Sequence, residues 1–308
     1  MPFFTRDPLP AEVRDRIARL DISSTNLVEG LVSGLHRSPY HGFSVEFAQH
    51  REYTWGDELK HVDWKVFART DRYYVKQYEE ETNLHCQVLV DASESMIYKG
   101  SRAALMKYEH ACTIAAAIAF LLLRQQDATG LILFDDALRQ RIPPSAHPAT
   151  LRDMAAAMSK IEVRRESRVE GLFHRLAEEI VRRRGLVVIV SDLFFPTDQL
   201  LEGIRHLRHK RNEVVVFHVL DHDELAFPFH DSTLFKGLEV PAELLAEPRS
   251  LRAAYLEAVA AFREKVERGL AEASCDYVLV DTSEPPQVAL ARYLVARARR
   301  RGRRGARA

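Results

Sequence analysis

Residues 86–96 read Cys-Gln-Val-Leu-Val-Asp-Ala-Ser-Glu-Ser-Met, an apolar run that ends in Asp91-x-Ser93-x-Ser95. A buried strand that stops at an acid and then offers hydroxyls at alternate positions aims three hard oxygen donors at one point. Such a point suits a small divalent cation such as Mg²⁺, which prefers oxygen and keeps several waters. A second apolar run, Leu-Val-Val-Ile-Val, ends in Ser191-Asp192. In an open α/β sheet, ligands bind beyond the carboxyl ends of the strands, at a topological switch point. If these two strands are neighbours, Asp192 faces the turn of Asp91, Ser93 and Ser95. A further hydroxyl is expected from Ser145 or Thr150, before the helix near 148–160, and the spacing does not choose between them. With so few charged ligands, the set leaves a dication short of neutralisation, so that an external carboxylate can complete its shell. Asp-x-Ser-x-Ser also suits an ordinary capped turn, in which short oxygen side chains satisfy free N–H groups.

The elements that must position these residues are legible downstream of residue 84. Continuous apolar runs at 84–90, 129–134, 186–191, 213–220 and 276–281 read as buried strands. Helical patterns lie near 101–124, 148–160, 169–184, 197–210 and 248–273, with a last helix near 286–300. Continuous apolar strands alternating with helices predict an α/β fold, a Rossmann-like parallel sheet with helices on both faces. Upstream, 11–20 and 21–34 carry short helical patterns, 35–72 has no sustained period, and Tyr73–Glu80 reads as a strand. The expected organisation is a helical and irregular segment at 1–80, a main domain at 81–300 and a basic tail at 301–308. Residues 297–307 hold seven arginines, read as a helix end followed by a solvated tail.

Composition narrows the function classes. Lys+Arg and Asp+Glu both number 44, so net charge gives no argument for nucleic acid or an anionic membrane. Cys86, Cys112 and Cys275 lie far apart without metal-ligand spacing, which suggests buried thiols in a reducing compartment. The longest uncharged apolar stretch, Ala111–Leu123, is too short to span a bilayer, and the N-terminus has no signal-peptide pattern. A cytoplasmic, soluble protein is expected. There is no phosphate-binding loop, Gly-x-Gly-x-x-Gly, His-Glu-x-x-His or Cys-x-x-Cys motif, so the chain shows no means of hydrolysing ATP.

Two further groups carry candidate chemistry. Arg51, Asp57, Asp63, Trp64 and Arg69 mix charges with aromatic residues. They suit a structural ion network, with Trp64 as a packing anchor, or a partner surface anchored by Trp64 and the arginines. Asp57 and Asp63 could also pair for acid–base work, although no nucleophile stands beside them. His218, Asp221, His222 and Asp223 offer zinc-type ligands, but they directly follow a buried strand, where a turn is the plainer reading.

Asp91-x-Ser93-x-Ser95-Met96, Gly130–Phe134 and Val190-Ser191-Asp192 resemble the von Willebrand factor A fold with its metal-ion-dependent adhesion site. The upstream motifs are more specific: His36-Arg37, Gly42–Phe47, Arg51–Tyr53, Gly56-Asp57, Val62–Trp64, Ala68-Arg69 and Val75-Lys76. With Asp221–Glu224, Phe227–Phe229 and Asp276-Tyr277, they resemble the bacterial family known as domain of unknown function 58. His222 stands where that family's turn has proline. The resemblance implies a von Willebrand factor A-type sheet with a Mg²⁺ site. It also implies a non-catalytic adaptor or co-chaperone acting with a MoxR-type AAA+ ATPase or its client. The alternative is a Mg²⁺-dependent phosphoryl-transfer enzyme using Asp91. Against it, position 93 holds serine rather than the second acid of haloacid-dehalogenase-like phosphatases.

Overall fold

The computed structural model describes residues 45–54, 62–80, 84–135, 137–160, 184–237 and 243–305. The expected helices at 11–20, 21–34 and 169–184 lie outside them, apart from Arg184. The chain divides into two compact units, His36–Leu84 and one that includes His85–Ala308.

In the smaller unit, β1 (Val45–Glu52) pairs antiparallel with β2 (Tyr74–Glu80), with an irregularity between Phe47 and Gln49. Between them, α1 (Trp64–Thr70) is capped by Asp63, whose carboxylate accepts the N–H groups of Lys65 and Val66. It ends at Asp71, in the left-handed region at φ 55°, whose N–H returns to the Phe67 carbonyl. The described part of the expected irregular segment is thus a strand pair with a capped helix. Its alternation is too short and too charged to register as a period.

The larger unit is built on six strands: β3 (His85–Asp91), β4 (Ala128–Phe134), β5 (Leu138–Ser145), β6 (Leu186–Ser191), β7 (Glu213–Leu220) and β10 (Asp276–Asp281). A separate antiparallel pair, β8 (Thr233–Lys236) and β9 (Glu243–Ala246), lies between β7 and β10 in sequence. The six-stranded order is β10-β7-β6-β3-β4-β5. All neighbours run parallel except β4 and β5. The sheet is therefore mixed, with one antiparallel edge strand. That strand escapes the apolar pattern because it is only half covered and ends in Pro143-Pro144-Ser145, residues that suit an edge.

The helices are α2 (Lys107–Arg124), α3 (Ala149–Lys160), α4 (Thr197–His209), α5 (His222–Ala226), α6 (Pro248–Glu272) and α7 (Pro286–Gly305). One sheet face packs under α4 and α6, where Leu89, Val187 and Ile189 meet Leu200, Ile204, Leu207, Val266 and Leu270. α2, α3 and α7 also pack on the sheet, α2 on β3, β4, β6 and β7, and α2 packs against both of the other two. The Ala111–Leu123 stretch falls wholly within α2, most of it buried. Among the described residues, no helix is long and apolar enough to cross a membrane.

The chain enters the sheet at β3, winds outward through β4 and β5, then restarts on the other side of β3 with β6 and continues to β7 and β10. This is the doubly wound arrangement, and its switch point lies between β3 and β6. At the opposite end of these strands, a Cβ on Gly185 would stand 1.9 Å from the backbone oxygen of His85. The substitution Gly185→Ala is therefore expected to destabilise the fold by about 1–3 kcal/mol through forced separation of β3 and β6. Urea unfolding measures it, and an unchanged midpoint would contradict so close an approach.

Candidate functional site

The carboxyl ends of β3 and β6 bring Asp91, Ser93, Ser95, Ser191 and Asp192 into one buried cluster, with Ser95 the most exposed at 8%. Asp91 accepts the Ser93 N–H on Oδ1 at 2.9 Å and the Ser191 hydroxyl on Oδ2 at 2.5 Å. The Ser191 oxygen in turn accepts the Leu193 N–H at 2.9 Å. Ser93 and Ser95 place their hydroxyls 3.0 Å apart at the start of a 3₁₀ turn, Glu94–Ile97. Burial raises the Asp91 pKa, Asp192 adds to it, and the bonds from Ser191 and Ser93 only partly offset them, leaving the carboxyl at about 7.

Asp192 has a partner that the sequence alone did not reveal. Lys107, the first residue of α2 and wholly buried, donates from Nζ to Asp192 Oδ2 at 2.8 Å and to Glu224 Oε1 at 2.8 Å. Burial works against the ammonium, but Asp192 and Glu224 outweigh it and hold its pKa above the ordinary lysine range. Burial raises the Glu224 pKa, against the pull of Lys107. Removing one member of such a buried set costs about 3–5 kcal/mol, because a charge is left unpaired.

Around this pair the backbone is held firmly. Leu193 is buried at φ 58°, a left-handed conformation that costs a bulky residue about 1–3 kcal/mol and persists only when its surroundings fix it. The next residue, Phe194, is 44% exposed, stacks on Phe262 and lies 5.1 Å from Lys107 Nζ. His218 bonds the Asp192 carbonyl through Nε2 and the Tyr277 hydroxyl through Nδ1, both at 2.9 Å.

The turn after β7 grips the loop that follows the serines. Asp221 caps α5 and accepts the Gly100 N–H at 2.9 Å and the Thr282 hydroxyl at 2.7 Å. Asp223 takes the Ser101 N–H and hydroxyl, while Glu224 reaches back to the Asp221 N–H in a capping box. Asp221, Asp223 and Glu224 are thus committed to fixing residues 100–107. His222 pairs with Asp281. Among the described residues, no three His, Cys, Asp or Glu side chains are grouped to hold a metal, and the reading of 218–223 as a turn rather than a zinc site fits these bonds.

Two expected ligands lie elsewhere. Ser145 pairs with Thr129 while Asp91 pairs with Phe134, which puts Ser145 five residues away along β4, about 17 Å. β5 runs antiparallel, so its last residue lies at the opposite end of the sheet. Thr150 opens α3 at its far end: it is the last turn of α3, at Met158, that accepts the Tyr108 hydroxyl at the start of α2. Neither residue belongs to the cluster. In the smaller unit, the Asp63 carboxylate is spent on its helix cap, Trp64 is 56% exposed rather than a buried anchor, and Arg69 is exposed. Arg51 sits in β1 opposite Val75, and Asp57 lies outside the described residues.

The donor set nonetheless fits a hard dication: all its donors are oxygens, from two acids and the hydroxyls beside them. Asp192 and Glu224 share the Lys107 ammonium, while Asp91 has no cation of its own among the described residues.

Fold and site together define a doubly wound α/β protein with an oxygen-rich cluster at its switch point. The chain belongs to the family described as "Protein of unknown function DUF58", which matches residues 49–265. Uncharacterized proteins of Mycobacterium tuberculosis H37Rv and Mycobacterium bovis are each 28% identical over 289 residues, covering 91% of this chain and 88% of theirs. Among solved structures, the chain is similar to the conserved hypothetical protein BatB from Bacteroides thetaiotaomicron. That match has 12% identity and a TM-score of 0.44, over 70% of this chain and 99% of that one. It is also similar to the SpRpn10 VWA domain, at 14% identity and a TM-score of 0.37, over 68% of this chain and 94% of that one.

Two outcomes follow from this geometry. A Cβ on Gly100 would stand 2.0 Å from Asp221 Oδ1, so Gly100→Ala should break the loop clamp and lower stability by about 1–3 kcal/mol, read by denaturant titration. His110 of α2 is lowered by burial from 6.5 to about 4, against the raising effect of Asp221 and Asp281. The unfolded chain therefore binds this proton first. Its contribution is complete above pH 6.5 and falls towards pH 4 by up to about 1.4 kcal/mol per unit. In His110→Leu, the slope of stability against pH should be shallower across that window, and an unchanged slope would refute this assignment.

Proposed function

We propose that this protein is a non-catalytic protein-binding module whose strand-end cluster holds Mg²⁺ and presents it to a carboxylate of a partner protein. The observation that carries this reading is the convergence of Asp91, Ser93, Ser95 and Asp192 at the switch point, where Ser191 donates to Asp91 and the Ser93 and Ser95 hydroxyls meet. Asp91, Ser93, Ser95 and Asp192 would hold the ion. It would supply an electrophilic position for an acid from outside, and hydroxyl ligands suit this because they add no negative charge. The switch-point location is where α/β sheets place ligands.

The family resemblance supports an AAA+ ATPase of the MoxR type, or its client, as that partner, in an adaptor or co-chaperone role. Exposed Trp64 and Arg69 are residue types common at interfaces and mark a second candidate partner surface in the smaller unit. Free cysteines at 86, 112 and 275 favour a cytoplasmic setting. The phosphoryl-transfer alternative is weaker, because Asp91 is fully buried with both carboxylate oxygens engaged, a poor state for a nucleophile.

Mg²⁺ at one hundred times its dissociation constant should stabilise the wild type by about 2.7 kcal/mol. The substitution Asp91→Asn should abolish that gain while leaving a cooperative unfolding transition. Thermal denaturation with Mg²⁺ against chelator measures both. Equal stabilisation of the two proteins, or none in the wild type, would sink the metal-dependent reading.

A further inference from the structure

Resting on that metal reading, we propose that Lys107 sets the charge of the site. Its ammonium holds Asp192, so that a bound dication meets Asp91 as the one uncompensated carboxylate and stays electrophilic towards an acid from outside.

Lys107 Nζ occupies Asp192 Oδ2 at 2.8 Å and is wholly shielded from water. Asp192 Oδ1 takes no part in that bond and, among the described residues, meets only a long contact, the Phe194 N–H at 3.3 Å. The ammonium is anchored from its other side by Glu224, itself fixed by the Asp221 N–H at 2.7 Å. Lys107 therefore cannot leave Asp192 by a simple rotation into solvent. It acts as a resident cation on the same carboxylate that a metal would use. A dication and an ammonium repel one another across that shared carboxylate, so Lys107 weakens metal binding while it preserves the ion's unspent charge. Without Lys107, two free carboxylates would bind the metal tightly and satisfy it, leaving less for a partner's acid.

The test uses Mg²⁺ alone as the probe, with the full chain in calorimetric titration. The paired substitution Lys107→Met with Glu224→Gln removes the cation together with the acid that anchors it, leaves Asp192 free for the metal, and is expected to raise Mg²⁺ affinity at least tenfold. Lys107→Arg keeps the cation and should stay within threefold of wild type. Binding by the paired variant when the wild type binds none overturns the proposal, since a lysine that shuts the ion out leaves nothing to present to a partner. Equal or weaker affinity in the paired variant, with a measurable wild-type affinity, overturns the proposal and leaves the metal reading standing, since a purely structural lysine would move only stability. Absence of binding in both proteins overturns the proposal and the metal reading together. If the paired variant does not fold, Glu224→Gln alone leaves Lys107 to Asp192, and Mg²⁺ affinity should fall. An unchanged affinity there would overturn the proposal.

Discussion

A lysine ammonium with no exposure to water is the constraint on which this structure turns. Lys107 is tolerated in the interior because two acids meet it at hydrogen-bond distance, one following β6 and one in the turn after β7. Those acids can meet it only if β6 and β7 are neighbours in the sheet and α2 lies across their ends. The pair thus ties the first turn of α2 to the switch point, and the serine turn after β3 is bracketed between them.

The same economy governs the acids around it. Asp221 and Asp223 are buried, yet Asp221 accepts two backbone N–H groups and a hydroxyl and Asp223 one of each, so neither is left without bonds in the interior. Asp91 differs. Its two oxygens are bonded, but among the described residues no cation neutralises it directly, and burial beside Asp192 drives its pKa upward. A carboxylate kept in that state lies where added positive charge has the most to gain. Phe194 forms an exposed margin beside Asp192 and Lys107, directly after the left-handed turn at Leu193.

Much of this was legible before any coordinates. The runs at 84–90, 186–191 and 213–220 announce buried strands because nothing in them must face water, and Asp91 and Ser191-Asp192 mark their ends. The edge strand β5 was not legible, since its residues alternate between exposed and half-covered and it closes on two prolines. That omission misplaced the third hydroxyl: without knowing that β5 reverses direction, Ser145 and Thr150 seem to follow a strand end on the ligand side. The pair β8 and β9 escaped for a similar reason, being four residues each. Lys107 was hidden by a different cause. A lysine at a helix start usually reaches water, and its partners lie 85 and 117 residues further along. The Asp221-x-x-Glu224 spacing was the available clue, a capping box just after a buried strand.

The long reach of that ion pair also bears on the order in which the chain assembles. α2 is rich in alanine and leucine and can form locally within about a microsecond. Its first turn cannot settle, however, until strands made much later from the ribosome have supplied both acids. Docking an unpaired ammonium would remove it from water without compensation, a penalty of several kcal/mol. The central helix is therefore expected to anchor first by its alanine-rich middle and to close over the strand ends last. The cluster would then form only in molecules whose sheet is already complete, so that no half-built chain displays it.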